Sequence, residues 1–227
     1  MKKGLILLSI GAILLGSVMV VSASSSVFTT NTGTKATKKA TEEKDLGIIT
    51  VEAHSDIVRF YPDIRSLTKD SDIVIEGDVM NASTKYYKDR VAPSTLSQVK
   101  VSRVISGDVK IGDVLTFQET GGITTQRYIS ESSGRGKDFP PLSEAEENKQ
   151  VDFKIDGISA MKKGEKVMLF GGRYQEGIYL IVGGYQGKFK VDDEQIERPA
   201  PKGDEAVYPA LKMSLSSLES EVKSFKK

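Results

Sequence analysis

The alternation of apolar and polar positions carries the first structural signal in the chain. In residues 72–80 (DIVIEGDVM), Ile73, Ile75, Gly77 and Val79 share one parity and Val74 lies on the other. A strand that starts apolar on both faces and turns polar later suits a barrel or a covered sheet. Residues 97–105 (SQVKVSRVI) and 114–119 (VLTFQE) read as the next strands, separated by Gly/Asp-rich turns. Residues 165–171 (EKVMLFG) and 178–182 (IYLIV) read as a hairpin. The run Gly183-Gly184-Tyr185-Gln186-Gly187 then bends the chain into a strand over 188–191. An earlier strand is expected over 47–51 from its β-branched residues, followed by a short helical turn over 62–69 with Ile64 and Leu67 at i,i+3. Between residues 121 and 163 the rhythm breaks. Glycines and prolines argue against regular structure at the start of this insert, and residues 143–148 are compatible with one helical turn. Residues 197–204 read as a Pro/Gly-rich loop.

The chain closes on a different period. Leu211, Leu215, Leu218, Val222 and Phe225 recur at spacings of 4, 3, 4 and 3, which predicts an amphipathic helix over 213–226. Ser214, or Ser216 with Glu219, would cap it. The apolar stripe is expected to dock on the strands and close one open end of a barrel. The rival reading is a face that recruits a partner.

The N-terminus has the layout of an export signal. Lys2 and Lys3 precede an uncharged apolar run over residues 4–21, and Val21-Ser22-Ala23 supplies small residues for cleavage between Ala23 and Ser24. The expected organisation is a signal peptide over 1–23, a disordered Ser/Thr/Lys-rich spacer over 24–45, and one folded domain over 46–227. The alternative is an uncleaved segment, residues 4–22, anchoring the protein to the membrane.

Composition narrows the chemistry. The 227 residues include 32 Lys+Arg, 31 Asp+Glu, one His and no Cys. Without Cys there are no disulfides, thiolate metal sites or Cys nucleophiles, and one His excludes any intrachain site that needs two imidazoles. The near-balanced charge argues against a nucleic-acid partner. No cofactor or metal is expected.

The motifs resemble a known family. The carriers are Ser71-Asp72-Ile73-Val74-Ile75-Glu76-Gly77-Asp78-Val79, the run Val104-Ile105-Ser106-Gly107-Asp108 continuing through Gly112-Asp113-Val114-Leu115, and Gly164-Glu165-Lys166-Val167-Met168-Leu169-Phe170. They resemble bacterial exported proteins related to the netrin-like module and the tissue inhibitors of metalloproteinases. The resemblance implies a mainly β fold: a five-stranded OB-like barrel with a long insert over 121–163 and a C-terminal α-helix. The inhibitors act through an N-terminal Cys that this chain lacks, so metalloprotease inhibition does not carry over.

Few side chains offer themselves for chemistry. His54 with a distant Ser would suit a hydrolytic triad, but no G-x-S-x-G element accompanies it. Ser66 with Lys69 and Ser97 with Lys100 match S-x-x-K, but the partner motifs of acyl-serine enzymes are missing. Asp192-Asp193-Glu194 would be at most a weak calcium site. Tyr86, Tyr87, Lys88 and Arg90, beside Lys85, form the best candidate ligand-binding cluster, since aromatics and cations together hold bases or sugar rings. The expectation is an exported, non-enzymatic binding module, secreted or at the cell surface, with a protein or glycan partner there. A membrane-tethered structural or signalling ectodomain is the alternative, and a hydrolase the third choice.

Overall fold

The computed structural model describes residues 47–55, 59–87, 90–134 and 140–225. The export-signal, cleavage-site and spacer expectations, and Lys88 of the candidate cluster, lie outside the described residues.

The protein is mainly β. Its central feature is a long antiparallel pair, β2 (Ile73–Lys85) with β3 (Ser94–Ser106). β4 (Val114–Thr120) continues the sheet from β3, and β7 (Lys166–Gln175) flanks the other edge of β2. β8 (Ile178–Ile181) runs parallel to β4 and also pairs antiparallel with the second half of β7. The first half of that same β7 edge takes β9 (Lys188–Asp192), which leads to β10 (Gln195–Arg198) and β11 (Leu211–Ser214). Gly77 explains how β2 and β3 approach so closely at a register shift: a Cβ there would lie 2.5 Å from Val99 Cγ1 and 2.7 Å from the Lys100 carbonyl oxygen.

The alternation in β2 sorts the apolar residues onto two faces. Ile73, Ile75 and Val79 pack with Val99, Val101, Phe117, Leu169 and Met161. Val74 faces the other way, with Met168, Phe170, Phe189 and Ile196. Two helices cover this second face. α1 (Ile64–Lys69) buries Ile64 and Leu67 and is capped by a reciprocal Asp63–Ser66 box. α4 (Leu215–Phe225) buries Leu215, Leu218 and Val222.

The C-terminal helix therefore docks as its stripe predicts, over this second face of the sheet and beside α1. It starts later than expected. Leu211 belongs to β11, and Ser214 caps the helix by accepting the Ser217 N–H at 3.1 Å.

The insert is more regular than its glycines and prolines suggest. β5 (Gly122–Thr125) and β6 (Gln150–Ile155) pair antiparallel, and β1 (Ile49–Ala53) adds parallel to β6, forming a separate three-stranded sheet. Among the described residues, two short helices lie between β5 and β6: α2 (Gln126–Ser132), and α3 (Glu144–Glu147), which is capped by Ser143. The expected loop over 197–204 is strand at its start, where β10 ends at Arg198. Among the described residues, no helix is long and apolar enough to cross a membrane.

Candidate functional site

A cavity of about 540 Å³ opens where the insert meets the large sheet. This volume is within the usual range for small-molecule sites. Its walls come from β3, β4, the β7–β8 hairpin and the glycine-rich turn before β9. Ile155 and Ile158, at the end of the insert, line it from the other side.

Its most buried charged groups are Glu119 at the end of β4 and Lys188 at the start of β9. Lys188 Nζ lies 2.5 Å from Glu119 Oε2, with side-chain exposures of 11% and 8%. Lys188 also donates to the Ser159 carbonyl at 2.9 Å, and Glu119 Oε1 accepts the Met161 N–H at 2.6 Å. A carboxylate and an ammonium out of water are tolerated because each is paired and hydrogen-bonded. Both insert-side partners, Ser159 and Met161, are main-chain groups. The ion pair thus clamps the insert to the sheet.

The glycine-rich run builds the opposite wall. Gly183 takes φ 65°, and a Cβ there would lie 2.7 Å from the Tyr61 ring. Its backbone permits a 3₁₀ turn that delivers Gln186 inward. Gln186 Oε1 accepts the Tyr61 N–H at 2.8 Å, and Nε2 donates to the carbonyls of Arg59 (3.0 Å) and Gly183 (3.2 Å). The Tyr61 carbonyl accepts in turn from Arg198 Nη1 at 2.7 Å. Burial lowers the pKa of that guanidinium. Tyr61 donates its hydroxyl to Asp70, which also pairs with Arg59 at 2.5 Å. Burial first, and the Asp70 carboxylate second, push the Tyr61 pKa up. The Tyr185 hydroxyl is buried without a hydrogen-bond partner. Its pKa is pushed up to about 12, chiefly by burial and then by the charge of Asp156.

The expected Tyr86/Tyr87/Arg90 cluster lies at the rim, in the connection between β2 and β3. Arg90 lines the cavity and sits 5.1 Å over the Tyr87 ring, which also receives Lys85 at 5.3 Å. Tyr87 accepts from Gln118 Nε2, a cavity residue, at 3.3 Å. Tyr86 faces the other way and packs against Tyr128 of α2 with ring centroids 4.5 Å apart. The Tyr128 hydroxyl donates to the Arg90 carbonyl at 2.9 Å, so the insert pins this connection in place.

His54 does find an acid and a serine. Its Nδ1 is 3.4 Å from Asp156 Oδ1. Ser55, however, donates its hydroxyl to Asp156 Oδ2 at 2.5 Å and its N–H to Oδ1 at 3.1 Å. A hydrolytic relay needs the histidine between serine and acid. Here the acid takes both, and the arrangement ties β1 to the Asp156-Gly157 turn. Ser66 is committed to the α1 cap. Asp193 makes the β9–β10 turn with φ 51°. Among the described residues, no three His, Asp or Glu side chains come together as a metal site.

Sequence reasoning missed Glu119, Lys188, Gln186 and Tyr185. One signal was present: Glu119 follows Phe117 by two residues on β4, the parity of a buried face. A scan of the chain against models of protein families finds no match, and a search of curated proteins finds no relative.

Proposed function

We propose that this chain is an exported, non-enzymatic binding module of the OB type that takes its ligand in the cavity between insert and sheet. The barrel reading is supported by the circuit of pairings through β2, β3, β4, β8 and β7 and back to β2. The one parallel step, β4 with β8, is where an OB barrel joins its third and fifth strands. In that scheme β3 and β4 are the second and third strands. OB folds bind ligands on those strands, between the loop joining the first two strands and the loop joining the last two.

The location of the cavity carries the proposal. Ser94 of β3, Gln118 and Glu119 of β4, Arg90 of the first loop, and Tyr174 and Leu180 beside the last loop all line it. The arrangement around His54, which gives no serine a base, favours binding over hydrolysis. Export rests on the Lys2-Lys3, apolar run and Ala23-Ser24 pattern.

Leu180→Trp, which fills the cavity from a half-exposed strand position, tests the site. Ligands that bind the folded state raise the Tm. In a thermal-shift screen, compounds that stabilise the wild-type protein should leave Leu180→Trp unmoved. Equal stabilisation of both proteins would place the ligand elsewhere. For export, the protein recovered from outside the cell should start at Ser24 by mass spectrometry. Intact chain held in the membrane fraction would support the tethered ectodomain instead.

A further inference from the structure

The polar groups left without a counterpart indicate what the cavity holds, provided that it is the ligand site proposed above. Among the described residues, four charged side chains line it: Arg59, Arg90, Glu119 and Lys188. Lys188 and Glu119 neutralise each other, and Arg59 is paired with Asp70. Arg90 has no carboxylate partner among the described residues; its guanidinium lies over the Tyr87 ring. Contact with the ring steadies the guanidinium without consuming its N–H donors. Among the described residues that line the cavity, the surplus is therefore the charge and the N–H donors of Arg90, which call for an acceptor carrying negative charge.

The remaining wall selects against a sugar. Ile155, Ile158, Leu180 and Ile181 present hydrocarbon. The Gln186 amide is spent on main-chain partners at both ends, and Gln118 Nε2 donates to the Tyr87 hydroxyl. A ligand rich in hydroxyls would leave them unpaired against these isoleucines and leucine.

We propose that the occupant is a small amphiphilic anion: an apolar ring or chain against Ile155, Ile158, Leu180 and Ile181, with one acidic group held by Arg90. Of the protein or glycan partner expected from the sequence, a glycan is the less suited to this cavity.

Two probes that share an apolar body separate the charge from the hydrocarbon. Anilinonaphthalene sulfonate carries an acidic group, and N-phenylnaphthylamine is its uncharged counterpart. In fluorescence titrations of the full chain, both should bind at one saturable site, the sulfonate more tightly. Arg90→Gln should weaken the sulfonate about tenfold, the worth of a charged hydrogen bond, and leave the neutral probe unchanged. Unchanged neutral-probe binding also shows that the variant keeps its cavity. Lys110→Gln, a cation outside the cavity, should affect neither probe. Equal affinities of wild type and Arg90→Gln for the sulfonate would overturn the anion assignment while leaving the cavity as a binding site. Saturable binding of neither probe to the wild type would overturn both.

Discussion

Two segments cover the large sheet, and they do it differently. α4 lays Leu215, Leu218 and Val222 onto the outer face and leaves each of them at most 1% exposed. The insert approaches the other side and leaves a cavity of about 540 Å³, with a buried ion pair holding it in place. Apolar side chains interlock because dispersion and dehydration both reward close packing. Charged groups must instead meet specific partners, and the space around them need not be filled by protein. The helix side is built for stability. The insert side gives up packing and keeps a space with placed polar groups.

The largest expected effect falls on the insert side, at its clamp. Lys188→Met leaves Glu119 buried without a counter-charge and should cost about 3–5 kcal/mol in urea unfolding. The double variant Lys188→Met/Glu119→Leu should recover much of that loss, because removing both charges also removes the desolvation penalty. A single variant as stable as wild type would mean that water reaches the pair, and the contrast with α4 would fail.

On the helix side, Leu218→Ala should cost about 2–5 kcal/mol by leaving a cavity in packed core. Leu180→Ala removes the same atoms at the cavity wall and should cost less than about 1 kcal/mol, as partly exposed positions do. Similar costs at the two leucines would erase the proposed difference. Glu219, on the polar face of α4, pairs with Lys223 and Arg103, and Glu219→Ala should also stay under about 1 kcal/mol. Ser214→Ala should cost about 1 kcal/mol through the lost helix cap, which thermal unfolding of the variant measures.

The smallest effect at neutral pH is at Tyr185, and it shows only in alkali. Tyr185 ionises near 12 in the folded protein against an ordinary value of 10.0. Above pH 10 the unfolded chain has lost this proton while the folded protein still holds it. Stability present below pH 10 is therefore lost as pH rises through 12. Tyr185→Phe should flatten this alkaline decline, and at pH 7 it should cost little, because the hydroxyl has no partner to lose. An unchanged alkaline profile in the variant would show that Tyr185 is solvated.

The central strands of the large sheet were legible because each carries its own period: Ile73, Ile75 and Val79, then Val99 and Val101, alternate without help from distant sequence, whereas β10 and β11, four residues each, are too short to show one. The Leu215–Leu218–Val222 stripe was legible for the same reason. Its destination was not, since an apolar stripe records that it is buried and not against what. β5 and β6 escaped notice because they are short and lie among the glycines and prolines of the insert. Residues 49–53 complete their sheet from about a hundred positions away. The site was half legible. Tyr87 and Arg90 stand close together in sequence and meet at the rim. Glu119 and Lys188 are 69 positions apart, and nothing local to either announces the other.

The central claim is that the insert side, and not the helix side, receives the ligand. Amide chemical shifts recorded while anilinonaphthalene sulfonate is titrated into the protein test it directly. The account predicts that perturbations concentrate at Arg90, Ser94, Gln118, Leu180 and Tyr185, with α4 silent. Perturbations centred on α4, or on the exposed Ile111 and Val114 with the cavity silent, would contradict it.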